Sequence, residues 1–235
     1  MRYLLLIALF LLVPHDAEAS LRFSATGNAS TTSSGANVGM IASNPWTVCL
    51  WFFSPDSSTG SNFDNIFNER DSTGDDYLTM HLKTSGGVNF FYRPGGFGQP
   101  STSITSSAIV DDLLWHTLCF VHRSTTDRQA YIDFVSAGAD TTSITNSRTP
   151  LLLGLSSSGS QDLPAGAKIA NVQLYKSALT LGQMKAAMYG FRTVKPHAYF
   201  PLGLSSPEVD WSGLGVTLNK LNTSVNGNPP IGRLF

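Results

Sequence analysis

Apolar runs separated by short polar stretches follow one another along most of the chain. The run from Trp46 to Phe53 is apolar at almost every position, which predicts a central β-strand covered on both faces. The segment from Leu118 to Val121 has the same character. We therefore expect these two segments in the middle of a β-sheet rather than at its edge.

Alternation of apolar and polar residues predicts further strands at 129–135 and 168–175, each with one buried face. That face is expected to hold Ala130, Ile132 and Phe134 in the first strand, and Ala170, Val172 and Leu174 in the second. Shorter strands are predicted at 78–82, 88–92 and 151–153. Clusters of Ser, Thr and Gly between the apolar runs predict loops at 26–39, 54–61, 101–107, 136–149 and 156–160.

One helix is predicted near residues 180–190. Thr180 and Gln183 have the spacing of a capping box, and Gly190 can provide a left-handed C-terminal cap. An apolar stripe with helical spacing is expected to pack on the sheet and consists of Leu181, Met184 and Met188.

The first residues have the pattern of a signal peptide. Arg2 precedes the apolar run 3–13, and the small-residue site Ala17-Glu18-Ala19 follows. The run is too short to span a bilayer as a helix, so we expect residues 1–19 to be removed and Ser20 to begin the mature chain. A membrane anchor or a buried N-terminal helix is the alternative. The protein is expected to be secreted, with no membrane insertion after cleavage.

Charge argues against a nucleic-acid partner. Of the 15 basic and 16 acidic residues, Arg2, Asp16 and Glu18 fall in the predicted signal peptide, so the mature chain is formally neutral. Nucleic-acid binding needs several Lys and Arg contacts, whereas only 13% of this chain is charged and no basic cluster is present.

Cys49 and Cys119 are the only cysteines, and each lies in a predicted apolar strand near a tryptophan. In a secreted protein, two half-cystines on such strands predict one disulfide that joins distant parts of a sheet.

The order of these motifs is informative. Trp46-Thr-Val-Cys-Leu-Trp51, then Trp115-His-Thr-Leu-Cys119, then the strand leading into the capped helix, resembles the order in laminin G-like and pentraxin domains. The resemblance implies a concanavalin A-like jelly-roll sandwich of two antiparallel sheets, all β apart from the short helix. It also implies the same disulfide, because pentraxin domains join two cysteines in matching strands.

We expect one domain over residues 20–218. The segment 197–215 resembles a phrase with Pro-Leu and Asp-x-Ser-Gly that is found in bacterial laminin G-like proteins. Residues 219–235 are predicted to form an irregular C-terminal tail, since Pro229-Pro230 argues against another buried strand.

Catalysis is not expected. Some enzymes of this fold carry a Glu-x-Asp-x-Glu strand, and glycoside hydrolysis ordinarily needs two carboxylates beside the scissile bond. After signal cleavage the only glutamates are Glu69 and Glu208, which cannot form that motif.

The resemblance also raises calcium binding. Asp75 and Asp76 precede a strand at the place where pentraxins hold calcium, but the second acidic loop of that family has here only Gln161 and Asp162. The alternative is that Asp75 and Asp76 are solvated turn residues.

The candidate ligand-binding platform is aromatic and basic, and consists of Tyr77, Tyr92, Arg93 and Phe97. Ordinary turn and core packing is the alternative for each of these positions. His116 and His122 flank Cys119 and are interpreted as hydrogen-bonded structural histidines rather than metal ligands.

The sequence therefore predicts a secreted, non-catalytic recognition module that binds a glycan or protein ligand, with calcium as the implied cofactor. One alternative is a structural protein that assembles on a cell surface, in a filament or in a virion. The other is an unconventional glycan hydrolase. Homo-oligomer formation is left open.

Overall fold

A computed structural model describes residues 20–31, 45–55, 64–70, 77–93, 100–144, 152–155, 163–191, 193–202, 208–213 and 217–226. The predicted signal peptide, 1–19, lies outside these residues. Within the described ranges, no helix is both long and apolar enough to cross a membrane.

The strands are β1 (Ser20–Thr31), β2 (Trp46–Phe53), β3 (Asp64–Arg70), β4 (Tyr77–Leu82), β5 (Val88–Arg93), β6 (Thr102–Thr105), β7 (Trp115–Ser124), β8 (Asp127–Ile132), β9 (Val135–Asp140), β10 (Leu152–Leu155), β11 (Lys168–Tyr175), β12 (Ala198–Phe200), β13 (Glu208–Val209) and β14 (Thr217–Asn226). The helix α1 (Leu181–Met188) lies between β11 and β12.

The strands form two antiparallel sheets. Sheet A has the order β9-β8-β7-β2-β11, with β12 also on β11, and sheet B has the order β10-β3-β4-β5-β6. The long strand β1 joins the sheets, because Leu21 pairs with Ile169 of β11 and Ala29 pairs with Leu155 of β10. This architecture confirms the predicted all-β jelly-roll sandwich with one short helix.

The main core lies between the two sheets. Alternate residues of each strand face it, among them Leu50 and Phe120 from sheet A and Met80 and Phe90 from sheet B. The rings of Phe90 and Phe120 meet across the sandwich with centroids 5.9 Å apart.

The edge strands β9 of sheet A and β6 of sheet B lie very close together. A Cβ on Gly138 would lie 2.7 Å from Ile104 Cγ2, and Gly138 has a φ of 142°. Only glycine fits there without strain.

β2 and β7 form the centre of sheet A, as the sequence predicts. Cys49 pairs directly with Cys119, their Cα atoms are 4.2 Å apart, and the disulfide is formed. The Cα separation is slightly shorter than the usual 4.4–6.8 Å range for disulfides. The predicted disulfide between adjacent strands is confirmed.

A second, smaller core fills the space between sheet A and α1. It contains the disulfide together with Trp51, Met184 and Met188. The helix has the predicted capping box between Thr180 and Gln183. Leu181 is 40% exposed, so the predicted apolar stripe packs through Met184 and Met188 but not through its first residue.

The C-terminal end of α1 is held by hydrogen bonds in two ways. Phe191 N donates to Ala186 O and Gly190 N to Ala187 O, which is a Schellman motif with Gly190 at φ 88°. From the sheet, Gln173 Nε2 donates to Ala187 O at 3.2 Å, and Trp51 Nε1 donates to Met188 O at 3.2 Å.

Two strand predictions need correction because the backbone adopts positive φ. The strand predicted to run through Val135 ends at Ile132, since Asp133 and Phe134 have φ values of 50° and 62° and form the hairpin turn to β9. In β11, Asn171 has a φ of 53° and shifts the register. Ala170 therefore faces the smaller core, while Val172 and Leu174 face the main core.

Several Ser- and Thr-rich segments that predict loops are strands. β1 includes residues 26–31 of the predicted loop 26–39. β6 lies within the predicted loop 101–107, and all of β9 but its first residue lies within the predicted loop 136–149. The tail prediction is also wrong for residues 219–226, because β14 pairs along β1 from Leu218 opposite Thr31 to Asn226 opposite Ser20. Pairing supplies the hydrogen bonds that these polar sequences need, whatever their local propensity.

Candidate functional site

The outer face of sheet B, which points away from the main core, carries two rows of mostly polar residues. Strand alternation sends Leu78, Met80 and Leu82 of β4 into the core, so Thr79 and His81 point outward. Direct cross-strand pairing then defines the rows. The first is Asn65, His81, Asn89 and Thr105, and the second is Asn68, Thr79, Phe91 and Ser103. We call these eight residues the polar face.

Hydrogen bonds tie neighbouring members of the polar face together. Ser103 Oγ donates to Asn89 Oδ1 at 2.8 Å, and Thr105 Oγ1 lies 3.4 Å from the same oxygen. Thr79 Oγ1 and His81 Nε2 are also hydrogen-bonded. These contacts fix the amide and imidazole groups in defined orientations, as a preorganised binding surface requires.

Exposure changes across this face. Near β3 and β4 the side chains are recessed, with Asn65 4% and His81 7% exposed. Toward the edge strand β6 the surface opens, since Phe91 is half-buried and Ser103 and Thr105 are exposed. Phe91, Ser103 and Thr105 are therefore the members of the polar face that solvent reaches, and the other five side chains are buried.

The structure places the predicted platform residues differently. Tyr92 is fully buried in the main core, where its ring meets Trp46 edge-on at 5.6 Å, which corrects its assignment to an exposed platform. Tyr77 is the direct cross-strand partner of Arg93, at the end of the strands that carry the polar face. Arg93 is half-buried. Phe97 lies outside the described residues, and its role stays a prediction.

The predicted calcium ligands Asp75, Asp76, Gln161 and Asp162 also lie outside the described residues. The role of these four residues therefore stays a prediction. Among the residues that the structure describes, no group of three or more His, Cys, Asp or Glu could hold a metal ion.

His116 is held between two carboxylates. Its Nδ1 lies 2.7 Å from Asp133 Oδ2, and its Nε2 lies 2.8 Å from Asp112 Oδ1. The hydrogen bond with Asp133 and then that with Asp112 outweigh partial burial and raise the pKa of His116 to about 9. Because Asp133 Oδ1 also accepts from Thr117 N at 2.9 Å, this charged cluster fastens the β8–β9 turn to β7.

His122 behaves in the opposite way. It is completely buried, and burial together with the charge of Arg128 lowers its pKa to about 3. Arg128 is itself buried and donates to Thr125 O at 2.9 Å, with Asp140 3.5 Å from its guanidinium. Both histidines thus have structural partners, as the sequence predicts.

Glu69, one of the two glutamates considered for catalysis, is fully buried on β3. Its cross-strand partner is Leu78, a main-core residue, so its carboxyl group points into the sandwich rather than to a substrate. Glu208 lies on β13, which pairs with β14.

Sequence reasoning missed most of the polar face. Its signal was present in the alternation of Thr79 and His81 with leucine and methionine in β4, and of Asn89 and Phe91 with apolar residues in β5. The register that aligns the strands depends on pairing across the sheet, and the sequence alone does not supply it.

Solved structures with low sequence identity share this fold. A heptameric SAP-like pentraxin from Limulus polyphemus is 14% identical, with 91% of this chain and 97% of that chain covered and a TM-score of 0.62. A putative carbohydrate binding protein from Bacteroides ovatus is 11% identical, with 92% and 62% covered and a TM-score of 0.63. The Ruminococcus gnavus IT-sialidase CBM40, bound to alpha2,3 sialyllactose, is 10% identical, with 71% and 95% covered and a TM-score of 0.54.

No curated protein is similar enough in sequence to match this chain. A family model, in contrast, matches residues 24–184, more than half of the chain and including strands from both sheets and the start of α1. The chain therefore belongs to the Laminin_G_3 family of the concanavalin A-like lectin/glucanases superfamily.

Proposed function

We propose that the protein is a secreted, non-catalytic recognition module that binds a glycan through the polar face. The observation that carries this proposal is the cross-strand row of Asn65, His81, Asn89 and Thr105, which aligns two amides, an imidazole and a hydroxyl on one face of sheet B. These groups can both donate and accept hydrogen bonds, as sugar hydroxyls do.

The second row adds an apolar surface. Phe91 is half-buried and has Ser103 as its direct partner, so one face of a sugar ring can lie on the phenyl ring while its hydroxyls reach polar groups. The lectin-like family and the low charge of the chain are consistent with a neutral ligand that is recognised by hydrogen bonds. Burial of Glu69 supports the absence of catalysis.

A glycan array with purified mature protein tests the proposal, followed by calorimetry on the best ligand. Phe91→Ala and Asn89→Ala should each weaken binding about tenfold, because one removes the apolar surface and the other an amide. Phe191→Ala is the matched control, since Phe191 is also exposed, at 59%, but lies beyond α1. Equal affinity of Phe91→Ala and Phe191→Ala for the glycan would refute the polar face as its site.

We further propose that calcium assists ligand binding and that Asp75, Asp76, Gln161 and Asp162 hold the ion. Their carboxylate and amide oxygens suit a hard cation. Calorimetry with Ca²⁺, and the array repeated in EDTA, tests this. A calcium signal that Asp75→Asn and Asp162→Asn each weaken supports the four-residue set, whereas a signal that Asp162→Asn leaves unchanged excludes Asp162 from it.

Secretion is likewise proposed from the signal-peptide pattern and supported by the disulfide, which forms in oxidising compartments. Expression of the full chain in a secreting host tests it. N-terminal sequencing of the exported protein should start at Ser20, and a product retained in the cell with residues 1–19 attached would contradict it.

Assembly of identical subunits is a second candidate function. The apolar side chains Leu113, Leu114 and Val135 are 57%, 60% and 69% exposed. They lie beside Asp112 and Asp133, which both contact His116, so the three occupy one end of the sandwich. Analytical ultracentrifugation tests this function. A stable oligomer that Leu114→Ser dissociates supports assembly, and a monomer at high concentration excludes it.

A further inference from the structure

A cleft of about 310 Å³ lies at the edge of sheet A, away from the polar face. Two segments form it, one that follows α1 and leads into β12, and one that forms the turn after β13. Its described lining residues are Lys195, Pro196, His197, Ser212 and Gly213.

The turn is rigidly anchored. Asp210 is 4% exposed, and its Oδ1 accepts from Tyr199 N at 2.7 Å and from Ser212 N at 3.0 Å. Ser212 Oγ lies 2.6 Å from His197 O and 2.7 Å from Asp210 Oδ2, which links the two walls of the cleft. The Asp210 carboxylate is thus hydrogen-bonded within the turn, and it is not among the described residues that line the cleft.

Trp211 is the next residue and is 60% exposed, the largest exposed aromatic side chain among the described residues. Its backbone N donates to Tyr199 O at 2.8 Å, and the ring meets the Tyr199 ring edge-on with centroids 6.2 Å apart. The indole is therefore held in place while most of its surface faces solvent. Trp211 immediately precedes Ser212, which lines the cleft, and an exposed, oriented tryptophan suits a ligand with both an apolar face and polar groups.

The positive charge of the cleft comes from Lys195, which is exposed, and the half-buried His197 also lines the cleft. No carboxylate is among the described residues that line it. The Lys195 ammonium can bind an anionic oxygen, and Ser212 Oγ, whose proton is already donated, can accept a hydrogen bond from a ligand hydroxyl.

We propose that this cleft is a second binding site, which takes a carboxylated sugar residue of the uronic or sialic acid class. Lys195 binds the carboxylate, Ser212 and His197 contact neighbouring hydroxyls, and the indole of Trp211 covers the apolar face of the ring. The site is separate from the polar face, so one subunit can hold two parts of a glycan or two glycan chains.

Tryptophan fluorescence of the intact protein provides the test. Trp46 and Trp51 are buried, Trp115 is half-buried and Trp211 is mostly exposed, so acrylamide quenching in a Trp115→Phe background reports chiefly on Trp211. Methyl glucuronide and N-acetylneuraminic acid should each reduce the quenching, and methyl glucoside, which lacks the carboxylate, should bind at least tenfold more weakly.

Variants separate the contribution of Lys195 to binding from that of Trp211. Lys195→Gln should weaken binding of the acidic sugars about tenfold and leave the weaker methyl glucoside unaffected, and Trp211→Ala should abolish the protection and weaken calorimetric binding about fivefold. Lys185→Gln, a lysine on α1, is the charge-matched control. Phe91→Ala should leave this site unchanged, so failure here is distinguishable from failure of the polar face.

Four results would overturn the proposal. The first three are equal binding of methyl glucoside and methyl glucuronide, protection by acetate at the same concentration as by the sugar acids, and full binding in Lys195→Gln. Binding of an acidic peptide in place of every sugar acid would also overturn it, because that assigns the cleft to a protein ligand. Far-ultraviolet circular dichroism and the unfolding midpoint of each variant confirm that the fold is kept.

Discussion

The indole ring of Trp46 stacks on the imidazole ring of His122, with centroids 4.9 Å apart and planes within 6° of parallel. Both side chains are completely buried at one end of the main core. The guanidinium of Arg128 approaches the imidazole as well, with its Nη1 3.4 Å from Nε2. A proton on His122 would place a second positive charge beside Arg128 without water, so the imidazole stays neutral in the folded state.

This arrangement predicts a loss of stability in acid. The folded-state pKa of His122 is about 3, below the 6.5 of an unfolded histidine, so its contribution is complete above pH 6.5 and is lost as pH falls toward 3. At pH 4 the loss is about 3 kcal/mol. Urea unfolding at pH 7 and pH 4 measures it. His122→Phe keeps a ring that can stack on Trp46. In this variant the free energy of unfolding should fall less between pH 7 and pH 4, and we call this fall on the acidic side the acid limb.

Of His116 and His122, only His122 should cause the loss of stability in acid. His116→Gln is the control and should leave the acid limb between pH 6.5 and 4 as steep as in the unmodified protein. Arg128 faces His122 and Asp140 contacts Arg128, and both residues remain in both variants. An unchanged acid limb in His122→Phe would show that carboxylate protonation, and not this histidine, sets the acid sensitivity.

His116 predicts the opposite dependence on the alkaline side. Its pKa is raised to about 9, so its stabilising contribution is complete below pH 6.5 and is lost as pH rises through 9. Asp112 and Asp133 are partly exposed, at 36% and 48% of their side chains, so solvent screens the pair and the loss is about 1 kcal/mol. Urea midpoints at pH 6.5 and 9.5 should differ in the unmodified protein and coincide in His116→Gln.

Direct titration gives a second check on this cluster. The nuclear magnetic resonance shift of the His116 ring should titrate near pH 9 and move toward 6.5 in Asp133→Asn, because the hydrogen bond to that carboxylate is the largest cause of the raised pKa. A ring that titrates near 6.5 in the unmodified protein would contradict the two-carboxylate geometry.

The disulfide gives a third prediction. Cys49 and Cys119 are separated by 70 residues, and closing a loop of that length restricts the unfolded chain. On the chain-entropy model the bond stabilises the fold by about 4 kcal/mol. The double variant Cys49→Ala, Cys119→Ala should lose that amount in urea unfolding. Unmodified protein in reducing agent should match the double variant, and a loss below about 1 kcal/mol would mean that sheet A is already ordered in the unfolded ensemble.

Local patterns predicted the parts of the fold that depend on neighbours in sequence. The apolar runs of β2 and β7 and the capping box of α1 are where the sequence places them, because solvent exclusion and capping act within a few residues. β1 and β14 were missed for the opposite reason. Both are rich in polar residues and become strands by pairing with each other and, for β1, with both sheets.

The candidate site shows the same limit. The sequence predicts Tyr92 on an exposed platform, but strand alternation places it on the same face of β5 as Val88 and Phe90, and this face points into the core. Trp211 was part of a recognised phrase, yet its exposure depends on Asp210, which reaches across to Tyr199. Contacts between residues distant in sequence decided both outcomes.

The last prediction concerns the buried hydrogen bonds among Asn171, Gln173 and Tyr175, which lie beneath α1. Gln173 Nε2 donates to Asn171 Oδ1 at 2.7 Å and to Ala187 O at 3.2 Å, and its Oε1 accepts from the Tyr175 hydroxyl. All three side chains lie in the interface between sheet A and the helix. Gln173→Ala would leave buried polar groups without this partner, which costs about 2–3 kcal/mol.

The N-terminal cap of the same helix provides the comparison, because the capping hydrogen bonds of Thr180 are exposed to solvent. Thr180→Ala should cost about 1 kcal/mol, so Gln173→Ala should shift the urea midpoint about twice as far. Hydrogen exchange should locate the difference. Gln173→Ala should speed exchange at Tyr189, Gly190 and Phe191, whereas Thr180→Ala should speed it mainly in the first turn. Equal effects of the two substitutions would show that sheet contacts add nothing to the docking of α1.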